Sequence, residues 1–385
     1  MGVNKLYNMK NYFLLAFTIL LFGCPHHVAS ANANDTEKSD SADSSITLKP
    51  QIAGFAFRDF DLVDTTNTDI ALLKIVNAIV VKVYWQDIQP KENGVLVHPN
   101  AIDNALNYVH GMNAKYPGMN LCLKVRLYCG ITAPQWLKDK AGTFTLQGGA
   151  GSAESVKFWE PACISAYADI QRRLADAYDS VPEILDIVNS GTGTSTAEGM
   201  IRNAGKSGAH KQNSMSYLQA GYTTAKDVDA IKKSIDAMKV WKHTRVSMAF
   251  SSFALINDNK GGDDVNISLQ LLDYFINTLG KQAVPGNNGL RDDASGTNAE
   301  KWAEGGANDK IYDRIQQYFK TKNTGVYFQT AVLARIGDIN KAMEQGLARG
   351  AGMIELPGGS KSILKFISLE DLKKYDTMLE AQAVK

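Results

Sequence analysis

From Gln51 onward, short runs rich in Val, Ile and aromatic residues alternate with longer runs of helical period, and this alternation limits the fold more than any other feature of the chain. The short runs are residues 52–57 (IAGFAF), 78–85 (AIVVKVYW), 121–128 (LCLKVRLY), 184–189 (ILDIVN), 245–250 (RVSMAF), 287–290 (NNGL), 325–330 (GVYFQT) and 352–356 (GMIEL). Between them, Ile102, Leu106, Val109 and Met112 share one helical face. Trp159, Cys163, Tyr167, Ile170, Leu174 and Tyr178 share another, and so do Val228, Ile231, Ile235 and Met238. Eight such units in roughly 330 residues predict an α/β fold of the closed (β/α)8 type, a TIM barrel, as a single domain over residues 51–385. No G-x-G-x-x-G follows the first run, which counts against an open dinucleotide-binding sheet. The sixth unit is the weakest, because the glycine-rich stretch around residues 284–309 reads as loop more than as strand and helix.

The first 33 residues belong to a different kind of sequence. Lys5 and Lys10 precede an apolar run from Tyr12 to Phe22, too short to span a membrane, which reads as a signal peptide. Two exits are open. LFGC resembles a lipoprotein processing box, which would put a lipid on Cys24 and the protein on a membrane surface or in the periplasm. VASANA instead offers cleavage after Ala31 or Ala33 and simple secretion. Residues 34–50, polar and rich in Ser and Asp, read as a flexible tether.

With 44% hydrophobic residues the chain can bury a large core, and a net charge of +1 gives no field for a polyanion, so nucleic acid is not expected as a partner. Beyond Cys24, the cysteines are Cys122, Cys129 and Cys163, without C-x-x-C spacing; buried free thiols are expected, a Cys129–Cys163 bridge being the alternative. The histidines (26, 27, 98, 110, 210 and 243) form neither H-x-H nor H-E-x-x-H, so no metal is expected. No phosphate-cradling turn and no G-x-S-x-G elbow occurs, and no cofactor is implied.

A barrel directs alternate strand residues to its axis and gathers reactive groups at the strands' C-terminal ends. If apolar residues face the helices, Lys124, Arg126 and Tyr128 of run three face the axis, as do Lys82 and Tyr84 of run two. The same alternation turns Asn189, Gln329 and Glu355 inward near the top, with Arg58 or Asp59 added from run one. Such charges converging in a barrel mouth form either a site or a satisfied structural network.

Residues 83–94 (VYWQDIQPKENG), 123–137 (LKVRLYCGITAPQWL) and 158–191 resemble, in order and spacing, the second, third and fourth strand regions of barrel glycoside hydrolases of the retaining beta-galactosidase and cellulase clan. The resemblance implies a carbohydrate substrate and two catalytic glutamates, an acid/base after strand four and a nucleophile on strand seven. The chain departs at both places: Asn189-Ser190 follows the fourth run and Gln329 occupies the seventh.

Glu198, on the loop past Asn189, and Glu355, at the end of run eight, are therefore the candidate catalytic pair for an exported glycoside hydrolase acting on a plant, microbial or host glycan. Separations of about 5–5.5 Å or about 6.5–9.5 Å would correspond to retention or inversion. Arg202 is placed to neutralise Glu198. Trp85, Trp136 and Trp302 would stack on sugar rings, and Tyr84, Gln89, Tyr128 and Asn189 would hydrogen-bond hydroxyls. The alternative is a carbohydrate-binding surface lipoprotein whose barrel has lost turnover.

Overall fold

The computed structural model describes residues 47–58, 70–148, 151–257, 262–292, 305–357 and 361–384. The signal region with Cys24, the tether as far as residue 46, Asp59 and Trp302 lie outside these.

Eight parallel strands close a barrel: β1 (Gly54–Phe57), β2 (Val76–Tyr84), β3 (Cys122–Tyr128), β4 (Ile184–Val188), β5 (Arg245–Ala249), β6 (Ala283–Leu290), β7 (Tyr327–Thr330) and β8 (Met353–Leu356). Each pairs with its sequence neighbours, and β8 pairs with β1 to shut the cylinder. Around them run α1 (Ala101–Lys115), α2 (Pro161–Tyr178), α3 (Thr224–Ala237), α4 (Val265–Leu279), α5 (Ala307–Lys322), α6 (Ile339–Ala348) and α7 (Leu369–Gln382). Two antiparallel hairpins are added after β3 (Thr143–Gly148 with Gly151–Val156) and after β5 (Phe253–Leu255 with Gly262–Asp264).

The expected (β/α)8 architecture is thus present, and the sixth strand is longer than its sequence suggests. AVPGNNGL is a largely buried eight-residue strand in spite of Pro285 and four Gly or Asn positions. A side chain on Gly286 would meet the Tyr327 ring and backbone of β7 at 2.2–2.4 Å, so this position faces a crowded axis where only glycine fits.

Two apolar layers follow from the period-two alternation. The larger lies between strands and helices and includes Leu123, Val125 and Leu127 of β3 with Cys163, Tyr167 and Ile170 of α2. The smaller fills the barrel interior with Ala56, Ala78, Val80, Cys122, Ala249, Val284, Tyr327 and Met353. Cys122, Cys129 and Cys163 are buried and free, and the alternative bridge is not formed.

At the N-terminal end of the barrel the chain is docked before Gln51. The Lys49 amine donates to the carbonyls of Val181 and Ile184 and to the Thr244 hydroxyl, and burial lowers its pKa to about 8. The Gln51 amide donates to the Val326 carbonyl, and its oxygen accepts from the Val384 amide. Ile52 joins the interior cluster. Residues 47–50, expected as the end of the tether, therefore belong to the barrel's floor, because their backbone and lysine satisfy groups at the strand starts.

Candidate functional site

Strand β3 sends Cys122, Lys124 and Arg126 into the barrel, and what faces them decides the character of the axis. Arg126 Nη2 donates to both carboxylate oxygens of Glu355 at 2.8 Å, and its Nη1 donates to the Gln329 side-chain oxygen at 3.1 Å. Lys124 Nζ lies 3.1 Å from Glu355, 3.9 Å from Asp186 and 3.5 Å from the centre of the Tyr327 ring. Asp186 in turn accepts from the Ser247 hydroxyl at 2.6 Å. Glu355 and Lys124 have no exposed surface, Asp186 is 1% exposed, and a charge so placed survives only with partners. Burial pushes the Glu355 pKa up, but Arg126 and Lys124 outweigh it and leave the carboxyl below its usual range. For Asp186 burial wins over Lys124, and the pKa is raised.

Above this network is the mouth. Tyr84 and Tyr128 end the adjacent strands β2 and β3 in register and meet edge to face at 5.6 Å between ring centres. Tyr84 is 41% exposed. Arg58, just past β1, donates through Nη1 to the Thr330 carbonyl at the end of β7. On the loop after β4, Glu198 Oε2 stands 3.5 Å from Arg202 Nη1, with side-chain exposures of 20% and 45%. The Glu198 charge reaches the axis: with burial and Glu355 ahead of it, it contributes to holding the Tyr327 hydroxyl well above its ordinary pKa.

Of the residues singled out in the sequence, Tyr84, Tyr128, Arg58, Glu198 and Arg202 lie at the strand ends and their loops, and Arg126 and Gln329 lie on the axis beneath. Five others are placed differently. Glu355 faces the axis as expected but is sealed from solvent, with both oxygens engaged by cations, so it does not present an open carboxylate to a bound sugar.

Trp85 continues the outward series of Val81 and Val83. It is fully buried, donates to the Gln89 side chain at 2.9 Å and packs against Tyr167, so it is a core residue and no sugar platform. Gln89, 1% exposed, spends its side-chain oxygen on that bond. Trp136 sits on the short helix Gln135–Ala141 and donates to the Gln89 carbonyl, beside α2 instead of over the axis. Asn189 points outward, between Tyr167 of α2, which donates to it, and Ser234 of α3, to which it donates. The last error has a defined cause. The β3–β4 pairing slips by one residue between Leu123–Ile184 and Lys124–Asp186, so the alternation changes phase and Asp186, not Asn189, faces the axis.

Asp186, Ser247 and Tyr327 are therefore the axial groups that sequence reasoning missed. An acid in the middle of the apolar run ILDIV was the available signal. Among the described residues, no group of three or more His, Cys, Asp or Glu side chains is arranged to hold a metal ion.

No protein-family model and no curated protein matches the chain. Among solved structures it is similar to the catalytic domain of beta-amylase from Paenibacillus polymyxa, at 12% identity and a TM-score of 0.49, over 85% of this chain and 98% of that one. It is also similar to endo-glycoceramidase II from Rhodococcus sp., at 13% identity and a TM-score of 0.46, over 82% and 76%. The third is XacCel5A, at 11% identity and a TM-score of 0.47, over 85% and 99%. A beta-methylaspartase from Clostridium tetanomorphum is similar at a TM-score of 0.39. These likenesses concern backbone layout. The chemistry of this chain rests on its own residues.

Proposed function

We propose that the protein is an exported carbohydrate-binding barrel whose ligand enters at the C-terminal mouth. The observation that carries this reading is the edge-to-face pair of Tyr84, which is exposed, and Tyr128, which is half-buried, at the ends of adjacent strands β2 and β3. Aromatic faces that carry hydroxyl groups suit the apolar and hydroxylated faces of a sugar ring. Export rests on the signal region alone, with either a lipid on Cys24 or cleavage after Ala31 or Ala33. The mass of the mature N-terminus tests both.

The sealed pairing of Glu355 favours binding over turnover, because glycosidic cleavage by two carboxyls needs both at the scissile bond. A second reading, hydrolysis, is supported by one observation: Glu198, on the loop after β4, keeps its carboxyl partly open to solvent, although Arg202 stands 3.5 Å from it. Calorimetry against a panel of neutral and acidic oligosaccharides separates the readings when paired with product analysis after long incubation. We expect saturable binding without product, weakened about tenfold, or about 1.4 kcal/mol, by Tyr84→Ala. Product that disappears in Glu198→Gln would replace the binding reading with the hydrolytic one. An unchanged affinity in Tyr84→Ala would remove the mouth assignment.

A further inference from the structure

Trp136 and Gln89, which leave the mouth in the folded chain, meet again on the outside of the barrel. With Glu92, Lys140, Ser165 and Asp169 they line a pocket of about 370 Å³ between the segment after β2, the helix Gln135–Ala141 and α2. That volume lies at the lower end of small-ligand clefts. The pocket opens sideways. On α2 its wall is made by Ala162, Ser165, Ala166 and Asp169, whereas Cys163, Tyr167, Ile170 and Leu174 form the stripe that packs on the strands.

The chemistry of the wall is specific. Trp136 is half-buried and its ring N–H is spent on the Gln89 carbonyl, so what remains of the indole is apolar surface. The Gln89 side-chain oxygen must face the Trp85 N–H, which fixes the amide so that its NH2 group is the opposite end. Gln89 is 1% exposed and forms part of the wall. Glu92 is ion-paired with Lys140, and Asp169 accepts from Arg172 and Arg173, so the wall's charges are already balanced.

The geometry points to a second, lateral binding site for one neutral sugar ring, with Trp136 as its apolar platform and the Gln89 amide as its buried hydrogen-bond donor. A free cation or anion has no uncompensated partner in this wall, whereas a polyhydroxylated ring offers an apolar face to the indole and acceptors to the amide. The site shares a ligand class with the mouth but none of its residues, so the two readings stand or fall separately.

Saturation-transfer NMR with glucose, galactose, xylose, N-acetylglucosamine and cellobiose, on the full mature chain, tests it. In the Tyr84→Ala background, which weakens the mouth, we expect transfer to at least one of these sugars, lost at least tenfold when Trp136→Ala or the pocket-filling Ala162→Trp is added. The Tyr84→Ala variant should retain it. Melting curves establish that each variant is folded. Sugar contact that persists undiminished when Ala162→Trp is added to that background and the chain is folded, or no contact with any of the five sugars, would overturn the lateral site. Loss in Tyr84→Ala alone would return all binding to the mouth.

Discussion

At the residue scale, Glu355 shows how a charge at the end of a strand acquires its role from what stands across the barrel. The carboxylate is held by Arg126 and Lys124, both from β3, and its ionised form is the stable one in the fold. Removing one member of a buried ionic set strands the others without compensation, which costs about 3–5 kcal/mol. Glu355→Gln is therefore expected to lower the unfolding free energy by that amount in urea titration, because Arg126 and Lys124 would remain buried with a neutral partner. A midpoint unchanged from the parent would show that the network is not structural. Trp85 makes the same point in apolar terms: its position after Val81 and Val83 fixes it on the helix side, and its one polar atom finds Gln89. Sequence context alone could make it a platform; one more step of alternation makes it core.

At the element scale, β6 and α3 carry the informative departures. Strand β6 contains Pro285 and Gly286, residues that ordinarily end a strand, yet it pairs with both β5 and β7. Its glycine is demanded by the Tyr327 ring, a neighbour more than thirty positions away in sequence, so no local rule could recover it. In α3 the first turn holds Asp227, 2% exposed, which accepts from the Tyr222 hydroxyl at 2.7 Å. Burial raises its pKa to about 7, against the smaller lowering effect of that hydrogen bond. The fold thus prefers the protonated carboxyl. Its contribution to stability is complete below the unfolded pKa of about 3.8, falls as pH rises towards 7, and is constant above. Melting temperatures of the parent should therefore decline relative to Asp227→Asn between about pH 4 and pH 7. Parallel pH profiles for the two proteins would show that Asp227 is not protonated in the fold.

At the scale of the whole molecule, the barrel is closed twice, sideways by the β8–β1 pairing and at its floor by residues 47–52. A chain beginning at Thr47 is expected to melt with the full-length mature protein, whereas one beginning at Ala53 loses the Lys49 and Gln51 hydrogen bonds and the Ile52 packing and should melt several degrees lower. Equal melting temperatures would show that the floor contributes nothing. Much of this architecture was legible before folding: seven apolar runs with a weak sixth among the eight, the helical stripes that follow, and the inward faces of β3, β7 and β8. Those features are periodic and local, and burial of one face of each element is enough to write them into the sequence. The tertiary structure alone decided which inward groups meet, how the slip between β3 and β4 exchanged Asp186 for Asn189, that Glu355 is clamped by cations, and that Trp136 and Gln89 join on the barrel's flank. Each is set by pairing between residues far apart in the chain, where a one-residue change of phase or a partner across the axis reverses the outcome.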